Sequence, residues 1–415
     1  VGVVITMDDK VDKYDYLLGA FIGIFAGIMD VLFVGKPGDS MLGNWTDKKT
    51  NDIVMKYAQW KGYTPKNGEP NLQNAVQFLE RAYPVNYDHG KSIDTGNVIS
   101  HMTPKNHHLK SLGHSPDLIG LGASILDQFQ NKSTFIDNGK IIRINSEYEL
   151  EGSNFVSKVY AGAGNWFGHL MSDVAGSNGA IGNGNRGSGI PIPFYNMFGL
   201  CNFGEFGQYR QPLSTIMVQV FEHGYDLRHG FAMAIPVLVG NVTTMLAWSL
   251  KRRFYHQWGW RECLPSDNYK SYRRMQLTQT TALCLVDGVD AYIRGKGNPV
   301  TVILHMNLIA WLQLVKLIIK EIMKTYGRSY ADINKDLEMI NTELDKELAY
   351  LQAIDYQAWK LENEKVADLN RRMELADTAT VGQLAFEYCF TSQVKVNYKD
   401  LNEFKALVKG KKALW

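Results

Sequence analysis

Phe231 to Leu250 reads FAMAIPVLVGNVTTMLAWSL, an uncharged run that leads directly into Lys251-Arg252-Arg253, with Tyr255 and Trp258 just beyond. A helix of that length matches the hydrocarbon thickness of a bilayer, and the basic and aromatic flank matches a spanning helix whose C-terminal end is cytoplasmic. Leu17 to Val34 is a second apolar run, carrying Gly19, Gly23 and Gly27, which would let another helix approach closely. Asp30 interrupts it, and an ionisable group there needs a partner. Val300 to Val315 is uncharged but short for a span and carries His305 and Asn307. A mean hydropathy of -0.21 is low for a protein made mostly of spans. Two readings therefore stand side by side: a membrane-embedded or membrane-associated protein, expected in a bacterial inner membrane, and a soluble cytoplasmic bundle whose apolar helices form its core.

Either way the pattern predicts a mainly α protein, a multi-helix bundle with one small β-hairpin near 133–145. There STFIDNGKIIRI places apolar residues on both sides of an Asp-Asn-Gly turn. Helices are expected at 52–61, 71–82, from the Ser115-Pro116-Asp117 start onward, 154–174, within 214–250, at 275–293 and at 300–323. From Ala331 to Ala376 both charge signs mix with periodic Leu, Ile and Trp. The chain thus divides into a helical core at 1–325 and a charged helical extension at 326–415. Residues 331–376 suit packing, self-association or a protein partner. The tail lysines Lys409, Lys411 and Lys412 suit contact with a headgroup layer.

Lys and Arg total 44 against 42 Asp and Glu, so no basic excess marks nucleic-acid binding, and no sequence-specific binding of that kind is expected. The four cysteines lack CxxC spacing, which argues against a disulfide framework or a cysteine zinc site and fits a reducing compartment.

The chemistry-bearing residues gather in the first half. His169 and Asp173 are four apart on an expected helix, so both emerge on one face as half of a metal site, suited to zinc, manganese or iron; a helix-surface pair reads the same. Upstream, His89, His101, His107, His108 and His114 are half of the chain's ten histidines. The glycine-rich loop 176–189 contains GNGNRG but lacks the Lys-Ser/Thr and strand context of a P-loop. It suits a substrate-covering loop, with Arg186 as an anion contact. Glu222, Asp226 and His229 would share a helix face as a second ligand set or as an internal salt-bridged face. Asp287 and Asp290 are spaced to bind a hard cation or to face water.

The order of these motifs resembles the bacterial membrane-bound metal-dependent hydrolases, a family distantly similar to zinc-dependent phospholipase C and P1-type nucleases. The matching positions are Asp30 in GIMDVLF, His108 and His114 in HHLKSLGHS, His169 and Asp173 in HLMSD, and Ile192-Pro193-Phe194 after the loop. Two departures stand out: His108 and His114 are six apart rather than five, and Leu109 occupies the place of an Arg. The resemblance covers roughly the first half of the chain and says nothing of residues 260–415.

The resulting expectation is a metal-dependent hydrolase of a phosphoester, such as a phospholipid or another membrane-proximal substrate. Asp30, His114, His169 and Asp173 would hold one or two divalent ions, with zinc favoured. His108 or an unligated carboxylate would act as base, and Arg186 would balance phosphate charge. The sequence leaves open whether His107 or His108 points inward. Two other classes remain: a non-enzymatic membrane protein whose polar groups line a pore or hold an assembly together, and a soluble scaffold that binds a partner through its C-terminal helices.

Overall fold

The computed structural model describes residues 9–391 except 66–67, 89–98, 147–149, 151–153, 326–329 and 377–379. His89 and the tail lysines lie outside the described residues. The protein is mainly α with one hairpin, and it divides into two units at Glu321/Ile322, inside a helix.

The first unit begins with α1 (Lys13–Met29), capped by Asp12, whose carboxylate accepts from the N–H groups of Tyr14 and Asp15. Its last turn, Asp30–Val34, widens to a π-helix before Gly35. Helices α2 (Met41–Trp60), α3 (Leu72–Ala82), the single turn α4 (His107–Lys110) and α5 (Leu118–Gln130) follow. Strands β1 (Lys132–Asp137) and β2 (Lys140–Asn145) pair antiparallel, with Asp137 opposite Lys140. The two turn residues, Asn138 and Gly139, both have positive φ (48° and 80°), which matches the twist of a two-residue hairpin. Next come α6 (Phe155–Asp173), the short α7 (Asn178–Gly182), α8 (Leu213–Glu222), α9 (Leu227–Phe254), α10 (Lys270–Gly295), α11 (Pro299–His305) and α12 (Leu308–Thr325). The second unit contains α13 (Tyr330–Glu374) and α14 (Val381–Thr391), joined by an ion pair between Arg372 and Glu387.

Two expectations about single helices are corrected. Glu222, Asp226 and His229 do not share a helix face, because α8 ends at Glu222 and Asp226 is the N-cap of α9. The run from Val300 to Met323 breaks at Met306-Asn307, where α11 and α12 meet at 80°. Asn307 causes the break by leaving its own helix: its Oδ1 caps Ala310, while its amide nitrogens turn inward to Asp30, Asp287 and the Met233 carbonyl.

Lys13–Val34 and Leu227–Phe254 are each long and apolar enough to cross a membrane, and the bent α11–α12 pair passes the same test if taken as one span. Helices α1 and α10 run side by side in the same direction. Gly19 faces Met275, Gly23 faces Gln279, and Gly27 faces Leu283 and Val286. A Cβ on Gly23 would lie 2.1 Å from the Gln279 carbonyl oxygen, so the contact exists only because glycine stands there. Helix α9 runs antiparallel to both, and its end is fixed to the start of α1 by the buried Asp15. Lys251 Nζ reaches Asp15 at 2.8 Å and Arg252 Nη2 at 3.0 Å, with the Arg252 guanidinium also over the Trp248 and Trp258 rings. At the opposite end Asn307 Nδ2 donates to Asp30 Oδ1 at 2.6 Å, and Trp311 Nε1 donates to Asp287 Oδ2 at 2.7 Å.

Substituting Gly23→Ala should force α1 and α10 apart and lower stability by about 1–3 kcal/mol. Gly164→Ala, on an open face of α6, should have little effect or stabilise slightly. Thermal unfolding of the two variants in one detergent checks the difference, and equal melting temperatures would contradict the close packing.

Candidate metal centre

Four elements deliver imidazoles and carboxylates to one buried point. The loop before α4 is folded by Asn106: its Oδ1 accepts from the Thr103 N–H, and its Nδ2 donates to the His101 carbonyl and to Glu222 Oε1. That loop launches His107 and His108 from the same helical turn, with their rings 3.9 Å apart. His114 follows on a 3-10 turn, and α6 brings His169 and Asp173 one turn apart, as their spacing predicts. Gly168 makes this possible, because the Tyr83 ring occupies the space where a Cβ would stand.

Three of the four imidazoles converge on Asp173 Oδ2. His169 Nε2 lies 3.1 Å from it, His114 Nε2 3.4 Å and His108 Nε2 3.5 Å. An ion bound tetrahedrally at 2.0–2.1 Å holds neighbouring donors about 3.3–3.4 Å apart, so these separations suit donors sharing an ion with Asp173. The ligand atoms of His114, His169 and Asp173 all lie within 4.8 Å of one another. His107, His108 and His114 form a second, overlapping triplet, and His107 Nε2 lies 3.8 Å from Asp88 Oδ1. Both members of the His107-His108 doublet therefore point inward.

Hydrogen bonding supplies an independent argument. His108 Nδ1 faces the Gly189 carbonyl and His107 Nδ1 the Pro104 carbonyl, each at 3.1 Å. A carbonyl only accepts, so each Nδ1 carries a proton, and the neutral His108 ring turns its Nε2 lone pair to Asp173. Backbone carbonyls in this role orient metal-binding imidazoles. An imidazole lone pair and a carboxylate facing each other in a dry interior repel unless a proton or a metal ion lies between them. Asp173 Oδ2 and both nitrogens of His114 have no hydrogen-bond partner, although His114 is wholly buried.

Charge balance points the same way. Burial, with Asp88 and Glu80 nearby, pushes the Asp173 carboxyl well above its ordinary value. Burial and the neighbouring imidazoles hold His108 and His114 well below theirs. Such a set is an unfavourable place for a bare carboxylate and a favourable one for a divalent ion. Imidazole and carboxylate donors of this kind, in two triplets that share His114, suit zinc or another first-row ion.

Among the expected ligands, the structure unites His114, His169 and Asp173 with the expected base His108 and places Asp30 elsewhere. Asp30 lies at the π-helical turn that ends α1, on the face that meets α10, hydrogen-bonded to Asn307. Arg186 is also removed from the role of free anion contact. Its guanidinium is shared between Asp47 and Asp226, with four bonds of 2.6–3.0 Å, and donates to the Gly224 carbonyl. Asp226, drawn well below the usual carboxylate range by Arg228 and Arg186 despite its burial, also accepts from the Gly189 N–H at 3.0 Å. Asp287 is buried beside Asn307 and Trp311, while Asp290 pairs with Arg294. Sequence reasoning missed Asp88 and Asn106, whose neighbours carry no ligand-spacing pattern.

A cleft of about 610 Å³ lies beside the histidine-bearing loop, lined by Pro104, Lys105, Asn183, Asn185 and Ser188 among others. Lys105 is exposed there. Arg186 also lines the cleft, but with its charge already matched by carboxylates.

The raised pKa of Asp173 gives a signed pH effect. With chelator present, a carboxyl whose folded pKa exceeds its unfolded value stabilises most at low pH, and that contribution is lost as pH rises through the folded pKa. Ion-free Asp173→Asn should therefore be more stable than wild type at pH 8, and the gap should close on acidification by up to about 1.4 kcal/mol per pH unit. Added zinc should reverse the order by stabilising only the wild type. Thermal unfolding at pH 6 and pH 8, with EDTA or zinc, reads both effects; an order unchanged by zinc would count against the centre.

No protein-family model, curated protein or solved structure matches this chain.

Proposed function

We propose that this chain is a membrane-anchored, metal-dependent hydrolase of phosphoesters, with zinc as its ion. The observation that carries the reading is the convergence of His108, His114 and His169 on Asp173 Oδ2 in a dry interior. A divalent ion held there would polarise a phosphoryl oxygen and lower the pKa of a bound water.

The chain's own residues would do the rest. His108 belongs to the ligand set rather than serving as base, because its Nε2 is aimed at Asp173 and its Nδ1 is committed to Gly189. The base role passes to the neighbouring His107–Asp88 pair, where the imidazole lies 3.8 Å from a partly exposed carboxylate. Lys105, on the cleft wall two residues before His107, supplies the positive charge for an anionic substrate that the committed Arg186 does not. The apolar faces of α1 and α9, with Phe21, Leu32, Leu238 and Phe254 each at least 60% exposed, support anchorage in lipid.

One feature favours a second reading. Asp30, Asp287 and Asn307 are buried among apolar helices, and ionisable groups in such positions often mark an ion or proton pathway. Ion flux through reconstituted liposomes, without hydrolysis, would support that reading.

The hydrolase reading is tested with purified protein, bis(p-nitrophenyl) phosphate and phospholipid vesicles. EDTA should abolish hydrolysis and zinc restore it. His114→Ala should lower kcat/KM about 100-fold or more, and Lys105→Ala should mainly raise KM. Chelator-insensitive turnover, or none with zinc bound, would contradict it.

A further inference from the structure

We infer that α1, α9, α10 and α12 cross the membrane together and that the metal centre works on the extracytoplasmic side. The inference rests on the membrane anchorage proposed above and adds two things to it: spans that composition does not reveal, and a direction.

Helix α10 fails a hydropathy reading because its polar residues are numerous, yet those in its middle turns are buried or half-buried. Gln279, Thr280 and Asp287 are buried, while Leu285, Val289, Tyr292 and Ile293 are 59–74% exposed. This is a helix turned inside out relative to a soluble one. Its register with α1 through the glycine stripe means that lipid around α1 must also surround α10. Helix α12 repeats the pattern, with Leu312, Val315, Ile318 and Ile319 outward and Gln313 bonded to Asn241 and Thr280 inside. The four outer faces are mainly apolar, with Lys316 exposed on α12 and Arg294 at the end of α10. Of the enclosed polar groups, Gln313 bonds to Asn241 and Thr280, and Asp287 to Asn307 and Trp311.

Direction follows from the ends. The end of the bundle where α9 finishes and α10 starts carries Lys251, Arg252 and Arg253 in the last turn of α9, Arg261 in the connection, and Lys270, Arg273 and Arg274 in the first turns of α10. Lys320 of α12 joins them through Asp267, and Arg273 meets Glu321. Tyr14, Tyr255 and Trp260 are exposed at the same end, with the first two rings in contact. The short connection at the far end, between Asp287 and Leu308, carries only Arg294 and Lys296. Lys and Arg in short loops are retained in the cytoplasm, so the first end is cytoplasmic.

The metal centre belongs to the other end. Asp226 caps the start of α9 and binds the Gly189 N–H, and the Gly189 carbonyl holds His108. From Arg228 to Arg252 the helix climbs about 36 Å, more than the hydrocarbon thickness. The centre and the basic cluster thus lie on opposite faces, and the substrate must arrive from outside the cytoplasm: a lipid headgroup of the outer leaflet or a soluble external phosphoester.

The test uses full-length protein with Cys201, Cys263, Cys284 and Cys389 changed to Ser, carrying either Tyr209→Cys or Leu264→Cys. Tyr209 lies beside the far connection and Leu264 in the basic one; they are 77% and 69% exposed. Unchanged metal content shows that each variant is folded. With a membrane-impermeant maleimide, Tyr209→Cys should react in intact spheroplasts, and Leu264→Cys only after lysis. If the protein resists alkaline carbonate extraction but the pattern is reversed or equal, the orientation is overturned while the anchorage stands. Release by carbonate would instead overturn the anchorage, and the orientation with it.

Discussion

The carboxylate of Asp226 joins the two halves of the first unit. It is fully buried, caps α9, neutralises Arg186 and Arg228, and accepts from Gly189 in the glycine-rich loop. Arg228 in turn donates to the carbonyls of Ala175 and Gly187, and Arg186 reaches Asp47 on α2. A loop that would otherwise be free is held at both edges, and its Gly189 carbonyl is set to orient His108. Removing one partner of such a network leaves an uncompensated charge in the interior, which costs about 3–5 kcal/mol. The apolar helices therefore act as the rigid base on which the metal centre is assembled.

The centre itself is built on a conflict that a cation resolves. The hydrogen bond from His108 Nδ1 to a backbone carbonyl forces the Nε2 lone pair toward Asp173, and burial denies water to both. Buried, with Asp88 and Glu80 nearby, the Asp173 carboxyl is pushed toward its protonated form. A divalent ion turns each of these unfavourable features into a bond. The same dryness would strengthen the field that the centre exerts on a substrate phosphate.

Much of this was legible in the sequence where local rules decide structure. The uncharged runs form the long helices, the Asp-Asn-Gly turn forms the hairpin, and the i,i+4 spacing of His169 and Asp173 places both at one point. Tertiary contacts decided the rest. Asp30 follows Gly19, Gly23 and Gly27 along the face that meets α10, and motif order along a chain cannot reveal which face a helix turns to a neighbour. The break at Asn307 sits inside an unbroken apolar pattern and arises because its amide is needed by Asp30 and Asp287. Arg186 reads as an anion contact until its two carboxylates arrive from positions 47 and 226. Asp88 is brought to His107 by folding, without any spacing signal.

The central claim is that the buried His/Asp cluster around Asp173, with His114 and His169 at its centre, holds a divalent ion. Metal content by mass spectrometry, on wild type, His169→Ala and Asp173→Ala purified identically, tests it most directly. Near-stoichiometric zinc in the wild type and its loss from both variants is the predicted result. No metal in a wild type that is well folded after zinc loading, or equal metal in all three proteins, would contradict the account.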